Sequence, residues 1–283
     1  MTLRAASKIL GTILMLIGVL HHSATAEELL FRVSNAGIVS MQDMVADLRK
    51  ARIVIVGEQH DNRDHHEAQL AVIRALRDSG ASVAVGLEMF RSDAQPKLDA
   101  WVSGSLGLAA FVEVYADNWD TSYWPLYRDI FFYAREAGIP LVGLNVPRSV
   151  VSQVARRGFA SLDEDQRQQL GGIQCDVDAK YRDLLGQVMG FKEGNTPTFS
   201  RFCEAQVVWD TAMGRNAAQY AQEHPNTVVV VLAGNFHAWK YGIAKQVREH
   251  ADLPVRVILP SSDTGFFRYD IVLEDADYVW WHP

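Results

Sequence analysis

The chain has 283 residues, 48% of them hydrophobic, and a formal net charge of -7. That length can hold one large domain with a substantial core. The acidic balance excludes nucleic acid as the main partner, which would call for a basic stripe. The first residues, Met1 to Lys8, are mildly basic, and an apolar run follows from Ile9 to Leu20. Ala24-Thr25-Ala26 then forms an A-x-A pattern before Glu27, so residues 1–26 read as a cleaved secretory signal peptide. The apolar run is short for a bilayer span, and the alternative is an uncleaved anchor. No cysteine stands near the cleavage point, so a lipid-modified N-terminus is not expected. The mature chain, 27–283, is expected in the periplasm or outside the cell.

Leu29 to Met44 reads as an extended segment and a turn, with a helix near Met44–Lys50. Ile53-Val54-Ile55-Val56 is a run of β-branched residues, the pattern of a strand buried on both faces. It ends in Gly57-Glu58-Gln59-His60. Asp61 is the expected N-cap of the next helix, whose apolar positions Leu70, Ile73, Ala75 and Leu76 lead to a stop at Ser79-Gly80. A second buried strand, Val83–Leu87, delivers Glu88, and Ser92 or Asp93 caps a helix to about Val102. Phe111, Tyr115, Trp119, Tyr123, Trp124 and Tyr127 form an aromatic belt. A helix spans Trp124 to Ala137 and stops at Gly138. A third strand, Ile139–Leu144, delivers Asn145, and Pro147 opens a helix. Asp163–Gln169 and Ala179–Met189 read as helical, Gly190–Pro197 as a loop, and Phe199 to about Glu223 as a long helix. Val228–Leu232 is a fourth buried strand, delivering Gly234-Asn235-Phe236-His237. A helix to about His250 and strands at Val255–Leu259 and near Tyr269–Val272 complete the chain. This alternation predicts an α/β fold: a mostly parallel sheet with helices on both faces. It forms a single domain with a mainly helical insertion around 158–223. Antiparallel pairing is open only to the last strand.

Polar groups at the carboxyl ends of parallel strands share one edge, where open α/β sheets bind ligands. Glu58, His60, Glu88, Asn145, Asn235 and His237 are therefore expected to converge. Three uses suit them. His60, Glu88 and His237 could hold a divalent metal. The imidazoles and carboxylates could act as metal-free acid and base. Or the set could anchor a larger ligand without reacting. A polar network that only satisfies strand ends is the plainer alternative. His65-His66 read as an exposed polar helix face, or else as part of a metal site. The aromatic belt suits either a core or the wall of a pocket for a flat cofactor, and tyrosine is a ligand for ferric haem. Trp280-Trp281-His282 is expected to pack on the body. Cys175 and Cys203 either pair in an oxidising compartment or stay as two buried thiols, and we favour the bridge.

Six motifs in order carry a resemblance: Val-Gly-Glu-Gln-His-Asp-Asn (56–62), His65-His66 with Gln69, Gly-Leu-Glu-Met-Phe (86–90), Leu-Asn-Val-Pro-Arg (144–148), Ala-Gln-Val-Val-Trp-Asp-Thr-Ala-Met (205–213) and Ala-Gly-Asn-Phe-His (233–237). Together they resemble the ChaN family of haem-binding uptake proteins in the Tiki superfamily. The resemblance spans roughly Gly37 to Trp280. It implies an α/β body, haem as cofactor and a role in bacterial haem or iron acquisition, with outer-membrane or periplasmic haem-transport components as partners. It also implies a homodimer on haem binding, with two stacked haems, a tyrosine on each iron and a histidine on the propionates. Tyr123 and Tyr127 are the candidate iron ligands by chemistry and neighbourhood. Trp124, His66, Asn145 and Asn235 are the other candidate pocket residues. The same resemblance supports a rival. Tiki-related metal-dependent proteases share two Gly-x-x-His turns and a glutamate, matching Gly57–His60, Glu88 and Gly234–His237. Erythromycin esterases are more distantly similar. In that reading a metal-bound or Glu-activated water attacks a carbonyl. His60 and His237 are then ligands or bases, and Glu58 and Glu88 position or deprotonate the water. The leading expectation is a periplasmic haem-binding protein, with an interaction module bearing a vestigial site as the third class.

Overall fold

Four β-branched residues in a row cannot be hidden by covering one side of a strand, and Ile53 to Val56 are indeed buried on both faces. The computed structural model describes residues 28–170, 177–188, 190, 196–261 and 271–281. The expected signal peptide lies outside them, as does Cys175. Cys203 is buried and makes no disulfide among the described residues, and the expected bridge to Cys175 lies outside them. The elements in chain order are β1 (Leu29–Arg32), β2 (Gly37–Val39), α1 (Met41–Leu48), β3 (Ile53–Glu58), α2 (Arg63–Asp78), β4 (Ser82–Arg91), α3 (Gln95–Val102), α4 (Leu108–Asn118), α5 (Trp124–Ala137), β5 (Leu141–Asn145), α6 (Arg148–Arg157), α7 (Glu164–Gln169), α8 (Ala179–Val188), α9 (Pro197–Glu223), β6 (Thr227–Gly234), α10 (Asn235–Ala238), α11 (Ile243–His250), β7 (Val255–Ser261) and β8 (Tyr278–Trp281). Among the described residues no helix is long and apolar enough to cross a membrane.

The strands form one eight-stranded sheet in the order β2-β1-β8-β7-β3-β6-β4-β5. From β8 to β5 every neighbouring pair is parallel, while β1 runs antiparallel to both β2 and β8. The fold is therefore α/β with a mostly parallel sheet, as expected, but the strand antiparallel to both its neighbours is β1, and the last strand, β8, runs parallel to β7. Strand alternation sorts the core into two layers. Val54, Val56, Val230 and Leu232 face one layer with Val72, Leu76, Ile130 and Phe131 from α2 and α5. Ile53, Ile55, Val229 and Val231 face the other with Met213, Ala217, Ile243 and Val247 from α9 and α11.

Several local expectations change. Asn62, not Asp61, caps α2, its side chain accepting from Asp64 and His65 N–H at 2.9 and 3.3 Å. The first two residues of the aromatic belt lie on helix α4, which buries Phe111, Tyr115 and Asn118 along one side. Its cap is Gly107, which offers no side-chain acceptor, so no start signal marked it. The final strand is β8 rather than Tyr269–Val272: Ile271 and Val272 are not strand, and residues 269–270 lie outside the described set. The terminal aromatics supply it, with Tyr278 and Trp280 turned into the core at period two. The helix expected to run to His250 is broken into α10 and α11.

One irregularity serves the site. Between Leu87 and Arg91, β4 takes four residue steps against two on β5, and Glu88 sits in that bulge. Gly143 of β5 makes room for it, because a side chain there would strike the Arg91 carbonyl. Gly143→Ala is therefore expected to destabilise the chain by about 1–3 kcal/mol, the usual cost of overpacking, read from its urea midpoint.

Candidate functional site

Glu58 ends β3 with the same parity as Val54 and Val56, so its carboxylate turns toward α2 and α5. It is buried there at 1% exposure. The Tyr127 hydroxyl donates to its Oε1. His60 Nδ1 lies 2.7 Å from the same oxygen, and His66 Nδ1 lies 3.1 Å from Oε2. His66 Nε2 donates to the His60 carbonyl at 3.1 Å. A carbonyl can only accept, so Nε2 carries a proton. Burial opposes a charged ring, but the Glu58 carboxylate beside Nδ1 raises its pKa above the ordinary value. His65 and His66 are thus not an exposed polar face: both are buried, and His65 Nδ1 accepts the Gln59 N–H at 2.9 Å.

A second assembly of the same kind stands across the hollow. His237 Nδ1 lies 2.7 Å from Asp210 Oδ1, and the Tyr181 hydroxyl donates to Asp210 Oδ2 at 2.7 Å. All three side chains are buried. Between the assemblies lies Glu88. Its Oε2 accepts the Gly234 N–H at 2.6 Å, and its Oε1 faces His237 Nε2 at 3.7 Å. Gly234 is needed for this approach, because a Cβ there would lie 2.9 Å from His60 Cε1. The site thus consists of two imidazoles, each held at Nδ1 by a buried carboxylate that a buried tyrosine also bonds, with a third carboxylate between them.

These groups floor a cavity of about 490 Å³. His60, Glu88, Asn145 and His237 reach it, and Trp119, Trp209, Phe202, Phe236 and Val151 wall it. The Asn145 amide donates to the Glu88 carbonyl at 2.9 Å, tying β5 to the bulge. Asn235 is buried beside Gly57, whose lack of a side chain leaves it room. Tyr127 is fully buried in the aromatic core, and Trp124 packs on Tyr115 and Phe131 away from the cavity lining. Tyr123 is half-buried, with its ring 6.0 Å from that of His60. Among the described residues no three His, Cys, Asp or Glu side chains are grouped so as to hold a metal ion. His60, Glu88 and His237 share the hollow without forming such a ligand set.

Asp210 and Tyr181 were not among the sequence candidates. The available signal was a carboxylate on the long helix between Val207, Val208, Ala212 and Met213, in a stretch too apolar to leave it unpaired.

Burial opposes the charge on Glu58, but the hydrogen bonds from His60 and His66 outweigh it and hold its pKa well below the usual carboxylate range. Burial likewise opposes a charged His60, yet the bond to Glu58 and the field of Glu88 carry its pKa up to about 9. Asp210 is pushed up by burial, only partly offset by His237 and Tyr181. His237 is raised despite burial by Asp210 and Glu88. These shifts predict a pH profile. The Glu58 contribution to stability is complete above the ordinary value of 4.5 and is lost as pH falls toward its depressed folded value. The His60 contribution is complete below 6.5 and is lost as pH rises through about 9. Urea midpoints are therefore expected to be highest between pH 4.5 and 6.5, and Glu58→Gln should flatten both flanks.

Comparison with known proteins adds to this geometry. The family described as haem-binding uptake, Tiki superfamily, ChaN matches residues 44–247. ChaN of Campylobacter jejuni, solved with cofacial haem, is similar over 90% of this chain and 96% of its own, at 22% identity and a TM-score of 0.66. A mutant of the erythromycin esterase EreC in its open conformation is similar over 83% of this chain and 76% of its own, at 17% identity and a TM-score of 0.50. At these identities the likeness is one of fold. No curated protein matches the chain.

Proposed function

Because the chain belongs to the haem-binding uptake family of the Tiki superfamily, ChaN, we propose that it binds haem and serves haem or iron acquisition in the periplasm. The observation that carries this reading is the aromatic-walled hollow at the carboxyl edge of the sheet. A flat apolar cofactor needs indole and phenyl walls, and Trp119, Trp209, Phe202 and Phe236 supply them. When bound, haem supplies an iron that a tyrosine oxygen can ligate. Tyr123 stands outside the cavity lining but beside His60, and it is our choice for that oxygen. The Tyr127 hydroxyl is given to Glu58, and burial together with the Glu58 charge holds its pKa well above the ordinary value, against forming a phenolate. In this reading two copies share the haem, and haem-transport components deliver or receive it.

Haemin titration tests the proposal. A saturable Soret change is expected, weakened in Tyr123→Phe and retained in Tyr127→Phe. The second variant should instead lose about 1–3 kcal/mol of stability, because Glu58 is left short of a donor. A chain that gives no saturable change overturns the reading.

One observation favours hydrolysis as a second reading. Binding alone does not require two imidazoles fixed by buried carboxylates on either side of Glu88. In the hydrolase reading a water is deprotonated by Glu88 or His237 and attacks an ester or amide carbonyl. Protonated His60 then gives its Nε2 proton to the leaving group, so the bond to that group breaks as the new C–O bond forms. Hydrolysis of a chromogenic ester should fall by about a hundred- to ten-thousandfold in His237→Gln, the worth of one acid–base group. An unchanged rate would sink this reading.

A further inference from the structure

Most amides that line the cavity are already spent on the protein. The Asn145 amide donates to the Glu88 carbonyl and accepts the Val146 N–H, each at 2.9 Å. The Asn118 amide donates to the Val114 carbonyl at 2.8 Å and accepts the Arg91 N–H at 3.1 Å. Gln206 of α9 differs. It is 5% exposed, lines the hollow and makes no hydrogen bond among the described residues. Its amide atoms are not sealed within protein, so what stays accessible of this side chain opens into the cavity. A carboxamide on an inner wall with nothing to bond is left for water or a ligand to satisfy.

The place of Gln206 on its helix gives that ligand its chemistry. Gln206 stands one turn before Asp210, and residues at this spacing share a face with Cβ atoms about 5–6 Å apart. Asp210 holds His237 Nδ1 at 2.7 Å, and the Trp209 ring stands edge-on to the His237 ring at 5.6 Å. The same stretch of α9 therefore fixes the imidazole and carries a free amide beside it. The rest of the α9 lining is Phe202, Ala205 and Trp209, without a charge. A neutral amide in an apolar wall suits a neutral acceptor. The acceptor that a substrate of the two imidazoles brings is its carbonyl oxygen.

We propose that Gln206 is a substrate-binding residue whose Nε2–H donates to the carbonyl oxygen of an apolar ester or amide. The role rests on the hydrolytic reading, which supplies the carbonyl. As water oxygen bonds to the carbonyl carbon, one water proton passes to Glu88 or His237 and the C=O π pair moves onto oxygen. There the Gln206 N–H meets the growing negative charge. The pair returns to restore C=O as the leaving group departs with its bonding electrons and takes the His60 proton. The motif 205–213 thus has two tasks, with Asp210 holding the imidazole and Gln206 holding the substrate.

The test uses p-nitrophenyl butyrate and its thiono analogue, in which C=S replaces C=O and sulfur is a weak acceptor. Gln206→Met keeps the side-chain length and removes the donor. It should lower kcat on the oxygen ester by about a hundred- to a thousandfold, the worth of one such donor, and change the thiono ester far less. Its urea midpoint should equal or exceed that of the intact chain, because no bond within the protein is lost. A lowered midpoint means that the amide is bonded inside the protein, and it overturns the contact. Equal losses on the two esters also overturn it, since a reshaped cavity penalises both, and so does an unchanged kcat on the oxygen ester. If the intact chain hydrolyses neither ester, the hydrolytic reading fails and the donor is judged by binding. The probes are then 2-acetylnaphthalene and 2-ethylnaphthalene, read by tryptophan quenching. A preference for the ketone that Gln206→Met abolishes supports the donor, and no preference overturns it.

Discussion

A carboxylate sealed at the end of a central strand is the constraint on which this molecule turns. Glu58 cannot remain charged inside the protein without compensation, because removing an ion from water is expensive. Three elements supply the compensation: His60 from the turn that follows β3, His66 from α2 and Tyr127 from α5. Each of those elements is held in place by the same charge. Where α2 and α5 pack is therefore an electrostatic matter as well as an apolar one. The short chain path from Glu58 to His60 is fixed by a bond, not by loop stiffness.

The second assembly solves the same problem with different parts. Asp210 comes from α9 and His237 from α10, with Tyr181 of α8 closing the outer side. The two assemblies belong to opposite layers of the sheet, the first continuing the parity of Val54 and the second standing on the α9 face. They meet because β3, β6 and β4 are neighbours and end at one edge. Glu88 reaches between them because β4 bulges at that point. Without the bulge, strict alternation along β4 would leave nothing to adjust where that carboxylate falls.

Much of this was legible in the chain because its signals are local. Runs of Val and Ile announce buried strands, and the polar residues that follow them must emerge at a parallel sheet's edge. His60, Glu88, Asn145 and His237 follow from that logic and do line one cavity. What was not legible depends on distance in space. His65 and His66 look like a polar helix face until β3 places the Glu58 carboxylate opposite His66 and the turn after it gives the Gln59 N–H to His65. Tyr127 sits in an aromatic stretch that suits core and pocket equally, and its hydroxyl is assigned to the core only by Glu58. Asp210 and Tyr181 are 29 residues apart in sequence, and no spacing rule links them. Helix α4 lacked a capping side chain, and β8 was hidden because a terminal aromatic cluster carries no turn to announce a strand.

The two functions considered for the hollow make different demands on it. Holding a flat cofactor needs walls, one ligand atom and an anchor for its charge, and it is indifferent to how the floor is wired. The floor is nevertheless wired in detail, with each imidazole given one orientation by its carboxylate and its Nε2 left to face the interior. Such preorganisation is costly for a polar network in an apolar setting, since each buried charge must be matched by another. The orientation of the two imidazoles is therefore the feature that cofactor binding alone leaves unexplained, and it is the one on which the hydrolytic reading stands.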